Sequence, residues 1–462
     1  MKIQILWNLL FGLGFLMIFV QLSAQPIPKP NIIVYLADDL GYLDISVYGA
    51  EVVKTPVLQK LSREGMTFTN AFVTSPSCAP SRASLLTGLM PARNGAETNH
   101  SFPKEGVPYL IDNLKQSGYT VLAFGKVAHY KGNQKCGFDF HLDQQVNLYE
   151  NISGYFDTAS IRSPICIFVG DRRPHVLWTE EMFYAPEAVD LPPYFIDTRS
   201  TREHRSRYYT DISGLDSEMG RVLHLLEKIF GEHTITLFSS DHGAQWPFGK
   251  WNLYDAGIRT PLIVKWPGKI QANSTTDAMV SWVDILPSLL DLVKAELPKD
   301  LDGQSFKPVL FGESETCREV IYTTHTGDGK FNIYPMRSIR TEAYKLIINV
   351  EPDAYHSNHS DINRKSGAGK YWNSWNEEEA KDPRAAYIVN KYYQRPRREL
   401  YDLRTDKDEQ MNLIDSPAYQ TVLAELEARL DQWMRAHEDD GKAHRKPYPI
   451  SGRRPDLGFI RK

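Results

Sequence analysis

From Asn31 onward the chain alternates between short unbroken apolar runs and stretches with helical spacing. Asn31-Ile32-Ile33-Val34-Tyr35-Leu36 runs straight into Ala37-Asp38-Asp39, the pattern of a strand buried on both faces of a parallel sheet. Thr55-Pro56 then predicts a helix start, with Thr55 as N-cap, Leu58 and Leu61 facing inward, and Gly65 as the stop. Val107, Leu110 and Leu114 mark a second helix ended by Gly118. Further strands are predicted at Thr120 to Phe124, Ile165 to Val169, Thr234 to Phe238 and Pro261 to Val264. Between them, Ile212, Leu215, Met219, Val222, Leu226 and Ile229 line one face of a long amphipathic helix, and another helix spans Ser281 to Val293.

This βαβα order predicts an α/β fold, a mainly parallel sheet flanked by helices on both faces. Such sheets bind ligands outside the carboxyl ends of their strands. Polar clusters follow the predicted strands one after another: Asp38-Asp39, Gly125-Lys126, Asp171 to His175 and Asp241-His242-Gly243. After about Phe311 the texture changes. Arg337 to Arg340, Tyr344 to Ile348 and Arg398 to Leu403 read as strands, residues 353–398 as loops with short helices, and a helix ends the chain. The predicted division is a signal peptide at 1–24, an N-terminal catalytic domain at 25–315, and a smaller C-terminal α+β subdomain at 316–462.

The 462 residues carry 53 basic and 57 acidic side chains, a net charge of −4. That balance excludes a global field for nucleic acid, so an anionic substrate needs a local basic site. Met1-Lys2, an apolar run through Val20 and the exit Leu22-Ser23-Ala24 describe a secretory signal peptide cut after Ala24, with an uncleaved anchor as the alternative. A periplasmic or secreted protein is expected. Cys78, Cys136, Cys166 and Cys317 match no metal-site spacing, and a Cys136–Cys166 pairing stays open.

Two acidic pairs at strand ends repel each other unless a cation neutralises them, which points to a hard divalent ion on Asp38, Asp39 and Asp241. His242 is an unusual donor for calcium. Arg82 sits one helical turn beyond Cys78, and Lys126, His129, His175 and Lys250 follow other strands. Together they supply the cations and proton carriers that a tetrahedral anion requires.

Ser77-Cys78-Ala79-Pro80-Ser81-Arg82, followed by Thr87-Gly88, resembles the signature of type I sulfatases of the alkaline phosphatase superfamily. The resemblance extends through Asp38-Asp39, Gly125-Lys126, Pro174-His175, Asp241-His242-Gly243, Lys250, Glu399-Leu400-Tyr401-Asp402-Leu403 and Asn412-Leu413. It implies an alkaline-phosphatase-like fold and oxidation of Cys78 to formylglycine by a sulfatase-maturing enzyme. It further implies one Ca²⁺ held by Asp38, Asp39, residue 78, Asp241 and His242. In the mechanism it implies, the hydrated aldehyde attacks sulfur, His175 protonates the leaving group, and His129 helps the second hydroxyl expel sulfate.

The C-terminal motifs Tyr334 to Ile339 and Tyr392 to Asp402 resemble the heparan N-sulfatase (sulfamidase) subfamily, with its ulvan-active bacterial members. The site departs from that subfamily. Lys126-Val127-Ala128-His129 is one residue longer than its Lys-x-His, and Arg172-Arg173-Pro174-His175, His242 and Lys250 are closer to iduronate-type O-sulfatases. The expected substrate is an O-sulfated glycan such as ulvan or another uronate-containing polysaccharide, with a sulfamidase as the alternative. Arg172 and Arg173 are candidates to meet a uronate carboxylate; His100, His325 and Arg337 are candidates for a sugar subsite. A two-zinc phosphatase or phosphonate hydrolase and a non-catalytic sulfated-glycan binder are the competing readings.

Overall fold

A computed structural model describes residues 28–159, 164–329, 332–365 and 369–458; the expected signal peptide lies outside them. Nine strands form the central sheet: β1 (Asn31–Ala37), β2 (Met66–Phe72), β3 (Thr120–Gly125), β4 (Phe140–Leu142), β5 (Ile165–Gly170), β6 (Thr234–Ser240), β7 (Arg259–Lys265), β8 (Ser274–Thr276) and β9 (Val280–Ser281). Their order is β9-β2-β7-β6-β1-β5-β3-β4, with β8 also paired to β2. All seven residues of β1 and β6 are buried, as expected of strands covered on both faces.

Two features depart from the sequence pattern. Strand β2 is absent from it, because Thr67, Thr69 and Asn70 interrupt the apolar residues after Gly65. Strand β7 runs antiparallel to both β2 and β6, whereas the alternation predicts a parallel partner. The sheet is therefore mixed, though parallel through β6, β1, β5, β3 and β4.

Helix α1 (Pro56–Glu64) begins after Thr55, but the Thr55 hydroxyl accepts from the Ser46 amide instead of capping. The first helical amides of Val57 and Leu58 donate to Asp216, 3.0 and 2.9 Å away. An N-cap can thus come from another helix when an acidic side chain reaches the free donors. That residue lies on α3 (Arg199–Phe230), which starts ten residues before the predicted Tyr209 and carries its own Thr198 cap. Helix α2 (Cys78–Thr87) is buried at every position and ends at Gly88 in the left-handed region; α4 (Ile285–Leu292) follows a capping box at Ser281.

The C-terminal part builds a four-stranded antiparallel sheet from β10 (Ile321–His325), β11 (Met336–Arg340), β12 (Tyr344–Asn349) and β13 (Arg398–Asp402), ordered β10-β11-β12-β13. The short helices expected among the loops of residues 353–398 include α5 (Trp372–Glu379) and α6 (Pro383–Tyr393). Trp372, Trp375, Tyr392 and Tyr393 are buried in the main core. Aromatic burial, not helical propensity, orders this stretch. Helix α7 (Gln420–Ala436) packs Leu423, Leu426, Leu430 and Trp433 in a second cluster with Ile339, Leu346 and Leu400. A two-residue ribbon pairs Thr98–Asn99 in parallel with Gly327–Asp328. Among the described residues no helix is long and apolar enough to cross a membrane.

Candidate active site

The registers Leu36↔Gly170, Ala37↔Ser240 and Gly125↔Gly170 bring the carboxyl ends of β1, β5, β6 and β3 level. Asp38-Asp39, Asp171, Asp241-His242 and Lys126 therefore leave the sheet at one edge. The Lys126 amide donates to Gly170 O at 2.9 Å. A Cβ on Gly125, where φ is +74°, would meet Gly170 O at 2.2 Å. Glycine alone permits that approach, which turns Lys126 back toward β1.

Cys78 opens α2 with 1% of its surface exposed. Its Sγ lies 3.3 Å from His242 Nε2, 3.5 Å from Lys126 Nζ and 3.8 Å from Asp38 Oδ1. Burial opposes ionisation of the thiol, but Lys126 and Lys250 hold its pKa well below the ordinary value. Lys126 Nζ donates to both Asp38 oxygens at 2.8 and 2.6 Å, and Lys250 Nζ to both Asp39 oxygens at 2.8 and 2.9 Å. Arg82 Nε donates to Asp241 Oδ2 at 2.9 Å and Nη2 to Asp38 Oδ1 at 3.2 Å. Its Nη1 bonds the carbonyls of Lys126 and Val127. Four of its five N–H donors thus go to two carboxylates and the backbone after β3.

Asp39, Cys78, Asp241 and His242 offer ligand atoms within 4.8 Å of one another, the single such group among the described residues. Ligand bonds of about 2.5 Å put donors around one calcium ion up to about 5 Å apart, so the spacing fits. Three buried carboxylates face three fixed cations, Arg82, Lys126 and Lys250. A divalent ion then leaves the site net positive, as capture of an anion requires. Asp38 is outside the group of four, its carboxylate being held by Lys126 and Arg82. His242 is the odd donor: burial disfavours its charge, but Asp241, Cys78 and Asp39 raise its pKa to about 9.

His175, with a quarter of its side chain exposed, places Nε2 3.9 Å from Asp39 Oδ2; burial lowers its pKa to about 4. It shares a cavity of about 300 Å³ with Arg172, Arg173, Asp211 and Glu218. Arg172 is exposed there, bonded among the described residues to the Val176 carbonyl. Arg173, also lining the cavity, bonds Asp171 and the Gly214 carbonyl.

The proposed sugar-subsite residues separate. Arg337 is 1% exposed and clamped on Asp439 at 2.5 and 2.6 Å, and His325 is wholly buried in β10; neither presents a surface to a sugar. His100 bonds His129 and Asp328 at the edge of a cavity of about 270 Å³ that Arg445 also lines. Asp328, Asn99 and Trp251 are the members that sequence reasoning missed. None lies in a motif, although an aromatic next to Lys250 was a usable signal. The Cys136 and Cys166 thiols are free and buried, so the open pairing between them is not made.

The fold is the alkaline-phosphatase-like architecture of the sulfatase family. The chain belongs to the sulfatase family, whose model matches residues 30–295, and it is a sulfuric ester hydrolase. Residues 241–366 match a second model, "N-sulphoglucosamine sulphohydrolase, C-terminal". An ulvan-active sulfatase of Formosa agariphila is 29% identical over 93% of this chain and 85% of its own length. The human N-sulphoglucosamine sulphohydrolase is 28% identical over 87% of this chain and 89% of its own. A solved structure in complex with D-glucosamine-2-N,6-O-disulfate shares the fold, with a TM-score of 0.68 at 20% identity over 90% of this chain and all of that one.

Proposed function

We propose that this enzyme removes sulfate from esters of a sulfated polysaccharide or its oligosaccharides, such as ulvan or another uronate-containing glycan, in the periplasm or outside the cell. The observation that carries the reading is one buried thiol ringed by three carboxylates and three cations at the sheet's carboxyl edge. Residue 78, matured to formylglycine by a partner enzyme, supplies a geminal diol: one hydroxyl for sulfur and another whose deprotonation frees sulfate. Asp39, residue 78, Asp241 and His242, joined by Asp38 once it turns from Lys126 and Arg82, would hold a Ca²⁺, which would supply positive charge to the sulfate oxygens.

The chain's own groups do the rest. Lys126 and Lys250 stand where negative charge grows on the peripheral oxygens, and fixed cations in a dry site are the strongest electrostatic aid. His175, the more exposed imidazole, delivers a proton to the departing sugar oxygen; an arriving anion raises its proton affinity. Arg172, on the same cavity, meets a carboxylate of the neighbouring uronate. Arg82 positions Asp38 and Asp241.

The C-terminal model match supports the second reading, N-desulfation of glucosamine. Sulfate release from ulvan oligosaccharides, heparin disaccharides and N-sulfoglucosamine separates the two. Mass spectrometry of the peptide spanning position 78 tests the nucleophile, whose formation lowers the mass by ~18 Da. Cys78→Ser is expected to fold and to lose turnover; substantial residual activity overturns the mechanism. Active enzyme with zinc and no calcium overturns the metal assignment.

A further inference from the structure

We propose that Asp328 and His100 form a positioning chain that fixes the tautomer of His129, leaving its buried Nδ1, three residues beyond Lys126, as the bare nitrogen. The inference rests on the sulfatase reading of the site.

The two-residue ribbon sets Asp328 beside Asn99, and His100 follows with φ +67°. A non-glycine residue held there marks a conformation imposed by its surroundings. Asp328 is 2% exposed. Its Oδ2 accepts from Trp251 Nε1 at 2.8 Å and Asn99 Nδ2 at 3.0 Å. Neither assignment is arbitrary. An indole N–H only donates, and Asn99 Oδ1 accepts the Ala79 amide at 3.1 Å, which turns Nδ2 toward Asp328.

The carboxylate Oδ1 lies 3.1 Å from His100 Nε2. Burial opposes its ionisation, but hydrogen bonds from His100 and Asn99 hold the Asp328 pKa well below the ordinary range. An ionised carboxylate only accepts, so His100 Nε2 carries the proton. In neutral His100 the other nitrogen, Nδ1, is then bare. It lies 2.7 Å from His129 Nε2, which must donate. His129 Nδ1 is left without a proton; it is buried and has no hydrogen-bond partner among the described residues. His129 follows Lys126 by three residues, and Arg82 holds the intervening backbone.

The same chain moves charge. A proton taken up at His129 Nδ1 is balanced by breaking the Nε2–H bond and forming one at His100 Nδ1. The imidazolium then sits on His100, paired with Asp328 and, with 42% of its side chain exposed, at the site's rim.

Asp328→Asn is the sharp test. Trp251 and Asn99 demand an oxygen, so the new amide presents its NH₂ to His100, and each tautomer down the chain inverts. In full-length enzyme with ¹⁵N-labelled histidine, the His129 proton is expected to move from Nε2 to Nδ1. Sulfate release is expected to lose roughly 10²–10⁴ in kcat, the range for a disabled acid–base group, with KM changed less than about threefold. His100→Gln keeps a donor for Asp328 and an acceptor for His129, so it is expected to recover most of what His100→Ala loses. An unmoved His129 proton, a kcat of Asp328→Asn within about threefold of wild type, or equal rates for His100→Gln and His100→Ala overturns the proposal. If Asp328→Asn does not fold, the His100 pair decides it. If the wild-type enzyme releases no sulfate, the functional reading fails while the tautomer measurement still stands or falls alone.

Discussion

Replacing Arg82 with lysine tests whether this guanidinium grips carboxylates or substrate. Arg82 is 1% exposed and makes four contacts: Asp241, Asp38, and the Lys126 and Val127 carbonyls. Burial works against its charge, yet Asp241 and Asp38 hold its pKa above the ordinary value. A lysine keeps the charge as a point and reaches one carboxylate, losing the planar fork. Breaking a buried pair costs about 3–5 kcal/mol and each lost hydrogen bond about 1 kcal/mol. The retained charge offsets about half, so the expected loss is about 3 kcal/mol. Unfolding entropy of about 2 cal/mol/K per residue converts that to a Tm lower by roughly 3 °C in a chain of this length. A displaced Asp241 is also expected to weaken Ca²⁺ binding about 10–100-fold, as loss of an orienting partner does. Calorimetry with and without calcium reads both. Unchanged Tm and calcium affinity with a raised KM alone would place the guanidinium on the sulfate and refute the argument.

Three more outcomes are expected. Cys78 is sealed inside a fully buried helix, so a maturing enzyme should modify the urea-unfolded chain and leave the folded thiol protein unchanged; mass spectrometry shows either. Asp255 pairs with Arg340 at 3.2 Å and with Lys345, tying the short helix before the central sheet's β7 to strands β11 and β12. Asp255→Ala is expected to cost about 3 kcal/mol in urea unfolding, the low end for a broken buried pair, because Lys345 keeps Glu409 at 2.8 Å. Asp361 is buried among the neutral donors of Ser357, Asn358, Tyr392 and Tyr393, with Asp456 nearby, and burial raises its pKa to about 7. The native state therefore holds a proton that the unfolded chain releases near pH 4, and this group's contribution falls as pH rises between those values. Asp361→Asn should gain about 2–3 kcal/mol relative to wild type between about pH 5 and pH 8; a parallel pH profile for both refutes it.

The strand ends were legible because a strand buried on both faces must be apolar, so polar residues mark where β1, β3, β5 and β6 stop. Strand direction was not: apolar spacing is the same either way, and β7 runs antiparallel through pairing that local pattern does not encode. Cys78 and the carboxylates around it stood in compact motifs. Asp328 did not, since its meeting with His100 depends on two residue pairs between segments far apart in sequence. The same limit applies to Arg337 and His325, whose partner Asp439 and whose burial follow from packing between distant segments.

That short ribbon makes the two halves of the chain chemically inseparable. A chimaera carrying this N-terminal half and a relative's C-terminal half will keep its thiol and every carboxylate around it, yet fall silent unless the graft restores an acid in register with Asn99.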